Sequence, residues 1–215
     1  MENKQRWDFL KEESVNSDKF FKEYIVGIPA SFKLLQKHYN IDFYSTDFEK
    51  MSKEDNSKWA SYINNIAGFA EYKDGVINIH YDSNLESEEQ RMVCASILGN
   101  IERCKRNNKN IEIIKLRDEI KKCDYPFDGM NEEEFAYVID NKFAREILMP
   151  KNEFEYDYQI FSLITNEGIT KVFECLAARY CVPIKEVENR FNELNMFKKY
   201  KDNLKLSDKI ILTFK

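Results

Sequence analysis

Histidine, glycine and proline are scarce: of 215 residues, 2 are His, 6 are Gly and 4 are Pro. The two histidines, His38 and His80, stand far apart in the chain. They cannot supply the paired imidazoles at i and i+4 with which one helix holds a zinc ion. So few helix breakers predict long helices. The five cysteines (Cys94, Cys104, Cys123, Cys175 and Cys181) form no CxxC pair, and their odd number leaves no complete disulfide framework. Reduced thiols in a cytoplasm are the simple reading. No apolar run approaches the roughly 18 residues of a membrane span. The opening MENKQRWDFLKEE is charged and has no apolar signal-peptide core. The expectation is a cytoplasmic protein with no membrane partner.

What is present fits an ordered globular chain: 43% hydrophobic and 14% aromatic residues, enough for a sizeable core. Abundant Lys, Asn, Ile, Glu and Phe also suggest an AT-rich coding genome, an associational pointer to low-GC bacteria or their phages. The net charge of −5 disfavours generic nucleic-acid binding. The charge is unevenly spread, because residues 101–122 hold twice as many basic as acidic side chains and residues 196–215 three times as many. Arg103, Lys105, Arg106 and Lys109 make the first stretch a candidate interaction surface. A solvated helix face is the plainer account of the same residues.

The apolar spacing predicts a helix over residues 1–26, a second beginning near Pro29, and a short strand at IDFYS. A short helix and loop are expected over DFEKMSKEDNSKWASYI. GFAEYKDGVINIHYD, residues 68–82, reads as a hairpin turning at Asp74-Gly75. Ser87 is the expected N-cap of a core helix carrying Met92, Val93, Ala95, Ile97, Leu98 and Ile101. A helical stretch is expected at IEIIKLRDEIKKC. Asn131 should cap a helix running to Pro150, with Glu132, Glu133 and Glu134 stabilising its first turn. A helix over 151–164, a pair with helix–turn–helix spacing over 169–195 and a final strand at KIILTFK complete the reading. The second helix of that pair offers Lys185, Asn189 and Arg190 beside Glu186 and Glu188, so the pair reads as structural rather than DNA-binding. The segments are an N-terminal helical extension (1–28), a central domain (29–150) and a C-terminal helical region (151–215).

The order of parts resembles the ImmA/IrrE family of zinc endopeptidases. The resemblance rests on the hairpin from Gly68-Phe69 to Ile79, on Arg91 and Ala95 with Leu98-Gly99, and on Asn141, Phe143, Ala144, Leu148, Met149 and Pro150. Leu176, Ala177, Tyr180, Val182, Arg190, Phe191 and Leu194 extend it over the closing pair. It implies an α+β fold, a mostly helical zincin-like domain with a small sheet containing the 68–82 hairpin. Where the family pattern has His, Glu and a second His, this chain has Ser96, Ile97 and Asn100; where it has a further metal-binding Glu, this chain has Tyr137. Ser and Asn are poor zinc ligands, and Ile97 cannot take a proton from water. No intact catalytic residue, metal site or cofactor is therefore expected.

The resemblance implies an inert peptidase-like scaffold, phage- or mobile-element-encoded, that binds another protein: a repressor of the XRE type or a defence-system component. One alternative is a zinc-dependent peptidase with non-standard ligands. Another is a nucleic-acid-binding regulator using the basic 101–122 segment. His80 with Asp82 as a relocated metal site competes with the simpler view of an exposed strand-end histidine. Cys94 and Cys104 read as packing residues. Tyr137 is expected to fill the volume of the lost site and to offer its hydroxyl to Ser96 or Asn100.

Overall fold

A computed structural model describes residues 3–25, 27–54, 65–107, 112–116, 130–165 and 167–200. The expected strand at KIILTFK, Cys123 and Lys109 lie outside them. The chain begins with α1 (Asn3–Tyr24), α2 (Lys33–His38), β1 (Ile41–Thr46) and α3 (Phe48–Glu54). The hairpin strands β2 (Ile66–Lys73) and β3 (Val76–Asp82) lead into α4 (Ser87–Arg106), and β4 (Glu112–Leu116) follows. The rest is helical: α5 (Glu132–Leu148), α6 (Lys151–Ile164), α7 (Ile169–Tyr180), α8 (Ile184–Glu193) and α9 (Met196–Tyr200). The architecture is α+β, mostly helical, with one four-stranded sheet in the order β1-β3-β2-β4.

The hairpin turns where the Asp-Gly pair sits, with φ of 51° at Asp74 and 83° at Gly75, the left-handed pair that two-residue hairpin loops require. β1 joins β3 in parallel, while β2 runs antiparallel to both β3 and β4. IEIIKLRDEIKKC is thus not a helix where it is described. Its isoleucine-rich start, with strong β propensity, pairs along the edge that β2 leaves open. The helix expected at Pro29 starts only at Lys33, after a turn over 27–30 in which Gly27 has φ +78°. Ser87 is the first helical residue of α4 rather than its cap; Glu86 precedes it, and the Ser87 hydroxyl bonds Glu88. Asn131 does cap α5, in a capping box with Glu134.

α4 is the central helix, buried from Met92 to Gly99. At 100° per residue, Val93, Ile97 and Ile101 share one face and Ser96, Gly99, Asn100 and Arg103 another. Gly99 permits the close crossing with α5, since a Cβ there would stand 2.9 Å from the Phe143 ring. The Phe143 ring in turn meets Phe20 of α1 edge to face at 5.4 Å. One buried apolar cluster extends from Phe20 through Ile79, Ile97 and Phe143 to Phe173 and Met196, so the segments 1–28, 29–150 and 151–215 share a core. No helix among the described residues is long and apolar enough to cross a membrane.

Candidate functional site

The seam between α4 and α5 holds the positions singled out from the sequence. Ser96 is 1% exposed, and its hydroxyl donates to Asn141 Oδ1 at 3.1 Å. One turn on, the Asn100 amide donates to Asp140 Oδ2 at 3.1 Å, while its own carbonyl accepts from the Cys104 thiol. Asp140 is 1% exposed and ion-paired with Arg103, whose Nη2 lies 3.1 Å from Oδ1 and 3.2 Å from Oδ2. Ile97 is fully buried among apolar neighbours, and Tyr137 is half-buried on α5. Ser96 and Asn100 are therefore partnered by Asn141 and Asp140 on the next turn of α5, in place of the expected Tyr137 hydroxyl.

This donor set does not fit a zinc ion. Both α4 positions carry neutral oxygen donors already engaged across the seam, and the buried carboxylate is neutralised by a guanidinium. Among the described residues no cluster of three or more His, Cys, Asp or Glu is placed to hold a metal. A largely buried Arg–Asp pair joined by the Asn100 amide is a structural contact, costly to open from one side.

The basic stretch is drawn inward by the same packing. Arg103 serves Asp140, and Arg106 chelates the buried Glu13 of α1 with Nη2 at 2.7 Å from both oxygens. Lys105 stands 3.8 Å over the Tyr39 ring and 3.9 Å from Glu102. Burial lowers the Lys105 pKa, with Glu102 opposing, and burial likewise raises that of Glu102. These cations hold α4 to α1 and to the Tyr39 region before they can serve a partner.

His80 is not an exposed strand-end residue. Its ring lies parallel between Phe69 (4.5 Å) and Tyr44 (5.0 Å), with Nδ1 3.1 Å from the Thr46 hydroxyl. Asp82, its supposed co-ligand, is fully buried and accepts from the Asn84 backbone N–H. Burial lowers the His80 pKa, and Glu71 only partly offsets this. A histidine with a folded pKa below the ordinary 6.5 binds fewer protons folded than unfolded. Its share of stability is complete above about pH 6.5 and falls as the pH drops toward the folded pKa. Urea midpoints at pH 7.5 and 5.0 should therefore differ more in wild type than in a His80→Phe variant. Equal differences would remove His80 as the cause.

A second polar cluster, unforeseen from the sequence, ties α5 to α8 and α1. Arg145, fully buried, reaches Glu186 at 2.9 Å and Glu193 at 2.6 Å. Arg190 donates to the Met149 carbonyl at 3.0 Å and pairs with Glu193 at 3.3 Å. Glu146 accepts from Ser14, Ser17 and Lys142. Glu186 and Arg190 are thus inside the molecule, and α8 packs through them. The available signal was Arg145 and Glu146 set among the apolar positions of VIDNKFAREIL, since such groups are buried only with partners.

No known family profile matches this chain, and neither does any curated protein. Among solved structures, a Mycobacterium tuberculosis transcriptional regulator is similar in fold, with a TM-score of 0.50 at 15% identity. The match covers 89% of this chain and 52% of that one, so this chain spans about half of that regulator's length. At this identity the likeness extends to the fold alone.

Proposed function

We propose that this chain is a catalytically inert relative of the ImmA/IrrE zinc peptidases, encoded by a phage or mobile element. In this reading it acts by binding another protein, a repressor of the XRE type or a defence-system component. One observation carries the reading. The i and i+4 positions of α4, where a zincin needs two imidazoles, are Ser96 and Asn100, and each is hydrogen-bonded into a seam closed by Arg103 and Asp140. The zincin-like motif helix is kept for packing, and its chemistry is replaced by an internal ion pair. The fold likeness to a protein named as a transcriptional regulator is compatible with a regulatory role.

A protein-binding role also accounts for the surface of α6. Tyr156, Ile160, Leu163 and Ile164 are 64%, 39%, 79% and 67% exposed. At 100° per residue they fall on one stripe, a patch of the kind that marks protein contacts. This stripe supports a docking place for the partner better than the basic stretch of α4 does, since Arg106, Arg103 and Lys105 already contact Glu13, Asp140 and Tyr39.

The test is a mixture of the purified chain with a candidate repressor, followed by intact mass spectrometry and by sizing of the complex. The expected result is an unchanged repressor mass, a stoichiometric complex and at least tenfold weaker binding by Leu163→Asp. Elemental analysis of the purified chain should find well under one equivalent of zinc. Cleavage of the repressor by substoichiometric protein, or one equivalent of tightly held zinc, would overturn the reading.

A further inference from the structure

α4 has a further face, turned away from the Ser96–Asn141 seam. Arg91 and Cys94 lie about half a turn around the helix from Ser96 and Asn100, so what they line is a separate place. There α2, β1, β3 and α4 enclose a cavity of about 350 Å³ open to solvent. Its walls are Phe32, Phe43, Tyr81 and Cys94, and the Phe32 and Phe43 rings stack at 5.6 Å with an interplanar angle of 17°. Lys33 and Arg91 also line it, and among the described residues no Asp or Glu does.

Arg91 is the feature that needs a partner. One Nη2 donates to the Ala30 carbonyl at 3.0 Å, and the guanidinium lies 5.6 Å from the centre of the Phe32 ring. Its Nε is enclosed and has no hydrogen-bond partner, and among the described residues no carboxylate pairs with it. Every other arginine on α4 has an acidic partner: Arg103 has Asp140 and Arg106 has Glu13. Burial pulls the Arg91 pKa down, with Cys181 and Cys94 opposing. A partly desolvated guanidinium at an aromatic wall, with donors unused, is a receptor for a carboxylate whose organic body is apolar. The thiol of Cys94 contributes apolar surface only, since burial pushes its pKa up to about 12.

We infer that this cavity binds a small organic carboxylate, its apolar body between Phe32, Phe43 and Tyr81 and its anion on Arg91, with Lys33 at the rim. The volume suits a small ligand of this kind. The inference stands apart from the proposed protein-binding role, since it uses the other face of α4 and none of the residues of the seam or of the α6 stripe.

The experiment is a pair of NMR titrations at constant ionic strength, with 3-phenylpropanoate and with its neutral isostere 3-phenylpropanamide. The acid is expected to bind the wild-type chain at least tenfold more tightly than the amide, and to shift resonances of Phe32, Phe43, Tyr81 and Arg91. Arg91→Gln should abolish this preference while keeping the weak binding of the amide. Equal affinities for acid and amide in the wild type, or no shifts around the cavity with either, would overturn the inference without any variant. Loss of both ligands in a folded Arg91→Gln chain would overturn the assignment of the anion to Arg91.

Discussion

Replacing Arg145 by methionine is expected to cost about 3–5 kcal/mol of stability, the typical effect of removing one side of a buried ion pair. For a chain of this size that corresponds to a fall in Tm of roughly 10 °C. The cause is what stays behind. Among the described residues Glu186 would keep the Asn189 amide at 3.4 Å, and Glu193 would retain Arg190 but lose two contacts from Arg145. In the wild type burial works to raise the Glu193 pKa. Arg145, then Arg190 and Lys142, overcome that and hold it below the ordinary carboxylate value.

A carboxylate depressed in the folded state adds stability above its unfolded pKa of about 4.3, and that contribution is lost as the pH falls through the folded value. In Arg145→Met the Glu193 carboxylate keeps the cost of burial with less to offset it, so the gap to wild type should narrow from pH 7 to pH 4. Urea unfolding across that range measures it, with Lys185→Met as the exposed control, since Lys185 is 64% accessible and pairs with Glu188 on the surface of α8. A gap that is constant with pH would show that lost packing, and not stranded charge, causes the loss.

The second large effect lies in the seam. Arg103→Met should cost about 3 kcal/mol, because Asp140, 2% exposed at its side chain, would lose its guanidinium counter-charge. Arg103 is itself only 17% exposed, so solvent screening discounts the pair little. The double variant Arg103→Met/Asp140→Leu should recover most of the loss, since apolar replacement of both partners is often neutral. A double-mutant cycle from urea midpoints should give a coupling of about 2 kcal/mol. Additive losses would mean that Arg103 acts on stability by some route other than Asp140. The cycle also bears on the proposed function, because the pair closes the positions where a zincin would hold its ion.

The two predictions concern residues whose importance the sequence did not announce. Ser96, Ile97, Asn100 and Tyr137 were singled out through the resemblance alone, as the positions where the ImmA/IrrE pattern carries its metal ligands and general base. What took their place was not legible. Asn141 and Asp140, rather than Tyr137, accept from Ser96 and Asn100, and that choice depends on the crossing of α4 and α5 set by Gly99 against Phe143. Arg103 and Arg106 looked like surface charges in a basic run. They turn inward because Asp140 and Glu13 stand opposite, from parts of the chain 37 and 93 residues away. His80 reads as a strand end, yet β1 and β2 sandwich it between Tyr44 and Phe69 through cross-strand register.

The sequence by itself determined the elements whose signals are local. The Asp74-Gly75 turn needs positive φ, the Asn131 capping box satisfies backbone N–H groups within one turn, and the apolar spacing of α4 commits it to the core. Only the tertiary structure decided that 112–116 is a strand, since its isoleucines suit either form and the open edge of β2 selected one. It also decided which charges are matched inside and which, like Arg91 beside its apolar cavity, have no carboxylate partner among the described residues. Pairing of charges is a contact between distant residues, and no local pattern along the chain encodes it.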